Sequence, residues 1–286
     1  MSRIDEQVIS RMKHKVFFDS PDVDFNFQWL MACQKYGGTS FGELFNTARR
    51  IDQTSESSWA DEFEKEAQRV ENIADTSIAG GHRVSAHEAY LRAHCYYRGA
   101  YMGAPRSVDS AKNARLFGKL VECFEKAMRL ADFPVERVHI PWQSYKFPGY
   151  FFKAASGNEP RPTLLIMNGG EMHAEDHYFW LARAAVDRGY NALTWDAPMD
   201  AGTRHYVPDA TFDSIGGLNG LKSAYKSAVD FMDARQDVDS DRLVVTGESY
   251  GGQKSLFIGC NDDRFAAIVP NSPIYDISDV LRKSFP

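Results

Sequence analysis

Over residues 2–130 apolar side chains recur at three- and four-residue spacing, strand-like alternation is absent and strong helix formers abound, which predicts a helical first half. Within it, residues 57–73 open on serines, carry acids in the first turn and place Trp59, Phe63 and Val70 on one side, as a capped amphipathic helix does. Gly80 and Gly81 then break the pattern. Ala86, Ala89, Tyr90, Ala93, Tyr97 and Tyr101 fall near a period of 3.6, so a second helix is expected over 85–102, with Pro105 past its end and a third helix over 110–130.

At Pro134 the spacing changes to short β-rich runs. Strands are expected over 135–142 and 149–153, with Phe147-Pro148-Gly149 as the turn of a hairpin. Thr163-Leu164-Leu165-Ile166-Met167 is continuously apolar, the mark of a strand covered on both faces and therefore central in a parallel sheet. A helix over 177–187, a strand over 191–195, a helix over 218–233, a strand over 243–246, a helix over 252–258 and a strand over 266–269 follow. This alternation predicts an α/β fold with a mostly parallel, three-layer sheet in residues 133–286, preceded by an all-helical lid or cap domain in residues 1–132.

The chain of 286 residues is 43% hydrophobic and 25% charged, enough apolar surface for a large core. A net charge of -6, with lysines and arginines scattered among acids, provides no basic field for nucleic acid. No run reaches the length of a membrane span and the start carries no signal-peptide pattern, so a cytoplasmic protein is expected. Cys33, Cys95, Cys123 and Cys260 stand far apart and are expected to be buried free thiols rather than disulfides or metal ligands. No metal or cofactor is expected.

The sharpest chemical signal is Gly247-Glu248-Ser249-Tyr250-Gly251-Gly252, a G-x-S-x-G motif placed directly after an expected strand and directly before an expected helix. In such an elbow the serine takes a strained backbone, and Gly247 and Gly251 remove the Cβ atoms that would collide with the packed chain. Ser249 is the candidate nucleophile. The helix start offers the Tyr250 N–H as an oxyanion donor, and Asn168-Gly169-Gly170-Glu171 offers a second through Gly170 or Glu171.

Gly81-His82-Arg83-Val84-Ser85-Ala86-His87-Glu88-Ala89-Tyr90-Leu91-Arg92-Ala93, continuing to Tyr96-Tyr97-Arg98, is one part of a wider resemblance. The second part is Asn168-Gly169-Gly170 with Glu175, Arg188-Gly189-Tyr190-Asn191 and Trp195-Asp196-Ala197-Pro198. The third is Asp237-Val238-Asp239 with Arg242, leading into the elbow. From about Gly80 onward the chain resembles the α/β-hydrolases of the 2,6-dihydroxypseudooxynicotine hydrolase family, together with fermentation-respiration-switch esterases and fungal pigment polyketide-shortening hydrolases. The resemblance implies a helical domain over a hydrolase domain, substrate bound between them, and cleavage of an ester or of a carbon-carbon bond beside a carbonyl without a cofactor. One departure is local: where relatives often carry Asp-Gly-Pro-Gly-Gln, this chain has Asp196-Ala197-Pro198-Met199-Asp200.

In this fold the chain order is serine, acid, histidine, yet the last histidine here is His205. The sheet is therefore expected to lack its C-terminal strands, and a longer reading frame is expected to supply an aspartate and a histidine. Two other readings compete: a non-catalytic binding descendant, and a rearranged triad using Asp276 with His173, His177 or His205. His173 and His177 have a plainer reading as caps of the helix they open, and Asp196 as an organiser of its loop. His82, His87 and His94 read as surface or hydrogen-bonded histidines, and Tyr96, Tyr97 and Tyr101 as core or as an aromatic pocket lining. The expected activity is that of a serine hydrolase acting on a small aromatic or polyketide-like molecule, with a prolyl-oligopeptidase-like peptidase as the enzymatic rival. That rival is disfavoured by the helical first half. An open sheet edge is also a feature on which a homodimer would build.

Overall fold

The computed structural model describes residues 15–103 and 110–276, and the chain divides into two compact units, Met1–Ala131 and Asp132–Pro286. The first unit is built from α1 (Pro21–Ala32), α2 (Phe41–Ala48), α3 (Ser58–Ala79), α4 (Arg83–Gly103) and α5 (Ser110–Met128), with no strand among its described residues. Helix α3 runs past the expected end at residue 73, because Ala74 extends the buried stripe and the stop comes only at the double glycine. Gly81 takes φ +79°, the left-handed conformation that ends the helix, and the N–H of His82 closes onto Ser77 O at 2.8 Å.

Helix α4 is buried on nearly every side, from Ala86 to Tyr101. Polar tips in so apolar a setting need partners. Tyr96 OH donates to Glu43 Oε2 at 2.7 Å and Tyr97 OH to Glu71 Oε2 at 2.6 Å, while Nδ1 of His94 and of His87 lie 2.8 Å from the carbonyl oxygens of Leu120 and Ala127 on α5. The tyrosines and histidines of α4 thus belong to the internal packing of the helical unit.

The second unit contains β1 (Val135–Trp142), β2 (Tyr145–Phe152), β3 (Arg161–Met167), a wide π-type turn (Tyr178–Ala182), α6 (Arg183–Val186), β4 (Asn191–Trp195), α7 (Thr203–Tyr206), α8 (Gly217–Asp233), β5 (Val238–Glu248), α9 (Tyr250–Gly259) and β6 (Phe265–Asn271). The sheet order is β1-β2-β4-β3-β5-β6. Strand β2 runs antiparallel to β1 and β4, and the pairs β4–β3, β3–β5 and β5–β6 are parallel. Every residue of β4 is buried, so both faces of the sheet are covered there. Ile140, Phe147, Phe151, Leu165, Met167, Leu193, Trp195, Val245, Ala228 and Met232 form the core.

Four expectations are corrected. Phe147-Pro148-Gly149 is not the turn of the β1–β2 hairpin: the chain reverses at Gln143, whose φ is +53°, and Pro148 and Gly149 pair within β2. A Cβ on Gly149 would stand 2.3 Å from Thr194 O, so this glycine marks the close approach of β2 to β4 and not a bend. The helix expected over 177–187 becomes the π-type turn followed by the short α6, with Tyr178 and Phe179 buried beneath it. Cys33, Cys95 and Cys123 are buried free thiols, but Cys260, at the end of α9, is exposed. Strand β5 is longer than expected, since its polar start at Asp239–Asp241 hides a strand that pairs Val238 with Arg161. No described helix is long and apolar enough to cross a membrane.

Candidate active site

The parallel strands end on one edge of the sheet, and the loops that follow them carry the candidate groups: Asn168–Glu171 after β3, Asp196–Asp200 after β4, Ser249 after β5 and Ser272–Asp276 after β6. Open α/β sheets bind ligands at this carboxyl edge. Ser249 joins β5 to α9 with φ +57° and ψ −119°, a conformation sparsely populated outside glycine. A Cβ on Gly247 would lie 2.4 Å from Gly251 O, and one on Gly251 2.2 Å from Met167 O. Both positions therefore require glycine, and the corner is pinned further by Ser249 N donating to Asn271 O at 3.0 Å. Ser249 itself stays partly exposed.

The contact of Gly251 with Met167 brings the end of β3 against the start of α9, and the loop after β3 lies beside the elbow. A Cβ on Gly169 would sit 3.2 Å from Glu248 O. Met172 N closes onto Gly169 O at 3.4 Å, forming a turn with Gly170 and Glu171 exposed at its tip. Neither the Gly170 nor the Tyr250 backbone N–H meets an acceptor among the described residues. Amides at a helix start lack intrahelical acceptors and sit at the positive end of the helix dipole, so this corner suits an oxyanion.

Behind the loops lies a buried polar layer. Asn168 Nδ2 donates to Trp195 O at 3.1 Å and to Asp196 Oδ1 at 3.0 Å, and Ala174 N donates to the same carboxylate oxygen at 3.1 Å. Asp196 thereby links the loops after β3 and β4; burial, with Glu175 and Asp200 nearby, holds its carboxyl well above the usual range. Glu175, which accepts from Tyr150 OH at 2.9 Å, is pushed up to about 7 by burial. Lys254 on α9, only 3% exposed, pairs with Asp200 and donates to Asn168 O at 2.9 Å. Burial raises the Asp200 carboxyl while Lys254 works against it.

The histidines occupy different places. His173 and His177 are fully buried, and His177 makes no side-chain cap to the turn it opens. Burial pushes the His177 imidazole down to about 4, and its Nδ1 stands 4.0 Å from Glu248 Oε1. Glu248, beside the serine, is pushed up to about 7 by burial and by the charge of Asp176. His205, in α7, is brought down to about 4 by burial and Arg204. Asp276 is exposed, two residues beyond Ile274, whose N–H reaches Ser249 O at 3.3 Å. Sequence reasoning missed Lys254, Asp200 and Glu248. The available signal was a lysine on the face of α9 that also carries Gly251, Ser255 and Ile258. Among the described residues no cluster of histidine, cysteine and carboxylate side chains is arranged to hold a metal ion.

Comparison with known proteins finds similarity to proteins named as hydrolases. Residues 223–284, which include the elbow, match the prolyl oligopeptidase family. The hydrolyase poxO of Penicillium oxalicum is 28% identical over 274 residues, covering 93% of this chain and 64% of its own. The α/β hydrolase ucsC of an Acremonium species is 27% identical, covering 92% and 57%, and the 20-hydroxy-prefusarin hydrolase FUS2 of Gibberella moniliformis is 27% identical, covering 96% and 65%. This chain thus spans less than two thirds of the length of these curated relatives. The crystal structure of 2,6-dihydroxy-pseudo-oxynicotine hydrolase superposes with a TM-score of 0.71 at 21% identity, covering 87% of this chain and 67% of that one.

Proposed function

From a chain that has the α/β-hydrolase fold and hydrolases for relatives, we propose a serine hydrolase in which Ser249 attacks the carbonyl of a small ester or of a carbon-carbon bond beside a ketone. The observation that carries this reading is the strained Ser249 backbone held between two glycines that admit no side chain. Attack puts negative charge on the carbonyl oxygen, and the amides of Tyr250 and of Gly170 or Glu171 are the donors proposed to hold it. The names of the relatives support a polyketide-like or heteroaromatic substrate for this chain.

A serine hydroxyl needs a base to give up its proton. The candidates within this chain are His173, His177 and His205, with Asp276 as the acid. The burial of His173 and His177, and the low imidazole values of His177 and His205, favour as a second reading a binding protein that keeps the pocket without the chemistry. Fluorophosphonate labelling with mass-spectrometric mapping separates the two. The hydrolase reading expects a covalent adduct at Ser249, lost in Ser249→Ala with the fold intact. A folded chain that gives no adduct, or one at another serine, overturns it.

A further inference from the structure

Gly169 and Gly170 give the candidate oxyanion loop no conformational preference of its own, and an unrestrained glycine pair would sample many amide orientations. Something must select one. The atom best placed to do so is Asn168 O, because in a planar trans peptide the carbonyl and the following N–H point in opposite directions, so fixing the oxygen fixes the Gly169 amide. That oxygen accepts from Lys254 Nζ at 2.9 Å.

Lys254 reaches it from α9, one turn beyond the elbow, and its ammonium also lies 4.6 Å from the centre of the Tyr250 ring. A buried ammonium is unfavourable unless paired and hydrogen-bonded. The pairing carboxylate is Asp200, which is itself fixed by Ala197 N donating to its Oδ2 at 3.0 Å. The Asp200 side chain is buried completely, and Met199 before it takes φ +72°. The loops after β3 and β4 are thus joined to α9 through one nitrogen atom.

We propose that Lys254, paired with Asp200, is a positioning residue that holds the Asn168 carbonyl and so anchors the start of the loop, whose next peptide, held by Met172 N on Gly169 O at 3.4 Å, carries the Gly170 amide. The proposal rests on the reading of Ser249 as nucleophile, but its structural half is measurable without turnover. Hydrogen exchange in Lys254→Met is expected to quicken at least tenfold in peptides spanning 168–174, while those from the C-terminal half of α8 keep their protection. Maximal phosphonylation of Ser249 is expected to fall at least tenfold, with the probe concentration for half-saturation changed less than twofold. Lys254→Arg, which keeps the charge and donors, is expected to restore most of both. Asp200→Asn, the milder change should Lys254→Met not fold, is expected to give the same effects at smaller size. Unchanged exchange at 168–174 in folded Lys254→Met, or in folded Asp200→Asn, overturns the proposal. Absence of wild-type labelling would count against the nucleophile and leave the exchange result to decide the positioning.

Discussion

Ser249 is held at φ +57° by its surroundings, and the strain is sustained because Gly247 and Gly251 let the chain close around it. Gly251→Ala puts a carbon 2.2 Å from Met167 O, so backbone must move at the meeting of β3 and α9. A loss of about 1–3 kcal/mol in stability is expected, with a fall of at least tenfold in the rate of Ser249 phosphonylation; thermal unfolding and labelling kinetics check both. Glu248 and His177 both contribute to the pH response, in the windows that Glu175 and His205 share. The Glu248 carboxyl is raised to about 7, so the unfolded chain ionises it first and stability falls between its ordinary value near 4.5 and 7, by about 3 kcal/mol at most. Glu248→Gln should therefore stabilise at pH 8 and be neutral at pH 4. His177, brought down to about 4, stays neutral in the fold while the unfolded chain protonates, so its contribution is full above 6.5 and lost as pH falls towards 4. His177→Gln should flatten that acid limb, whatever its effect at neutral pH. Urea titrations of both variants across pH 4–8 read each limb separately.

Among the elements, β2 and α5 make opposite use of glycine. A Cβ on Gly149 would press on Thr194 O and on Trp195 Cβ at 2.7 Å, forcing β2 from β4, whereas one on Gly118 in α5 meets nothing within 4 Å. Gly149→Ala is expected to destabilise by about 1–3 kcal/mol, and Gly118→Ala to stabilise by about 0.5–1 kcal/mol through helix propensity; denaturant midpoints compare them. At this scale the sequence was readable where periodicity was strong. The expected strands over 135–142 and 191–195 match the observed ones because an alternating pattern in the first and a short apolar run in the second are bounded by clear breaks. The misplaced hairpin turn shows the limit: proline and glycine punctuate a chain in loops, but Gly149 answers to a neighbouring strand that local sequence does not specify. The π-type turn at Tyr178–Ala182 likewise depends on what Tyr178 packs against, Phe133 and Phe152.

At the scale of the whole described sheet, β6 is an edge strand. Strand β6 has a neighbour only in β5 among the described residues, and Ile268 and Val269 are 37% and 51% exposed. An unpaired apolar strand recruits further strands, so the chain is expected to self-associate with rising concentration. Val269→Lys should reduce this without lowering the unfolding temperature by more than a degree or two, read by light scattering and sedimentation. A monodisperse monomer at high concentration would show that the edge is protected.

The α/β order, the helical first half and the strained corner at Ser249 could be read from sequence alone, because each depends on local spacing: a period of 3.6, short apolar runs, and glycines flanking one serine. The burial of His173 and His177, the shifted Glu248 carboxyl and the Lys254–Asp200 tie were decided only by tertiary structure. Lys254 sits on α9 after β5 and Asp200 on the loop after β4, and their meeting depends on β4 and β5 flanking β3. Desolvation and pairing are properties of what surrounds a group in space, and no spacing along the chain encodes them.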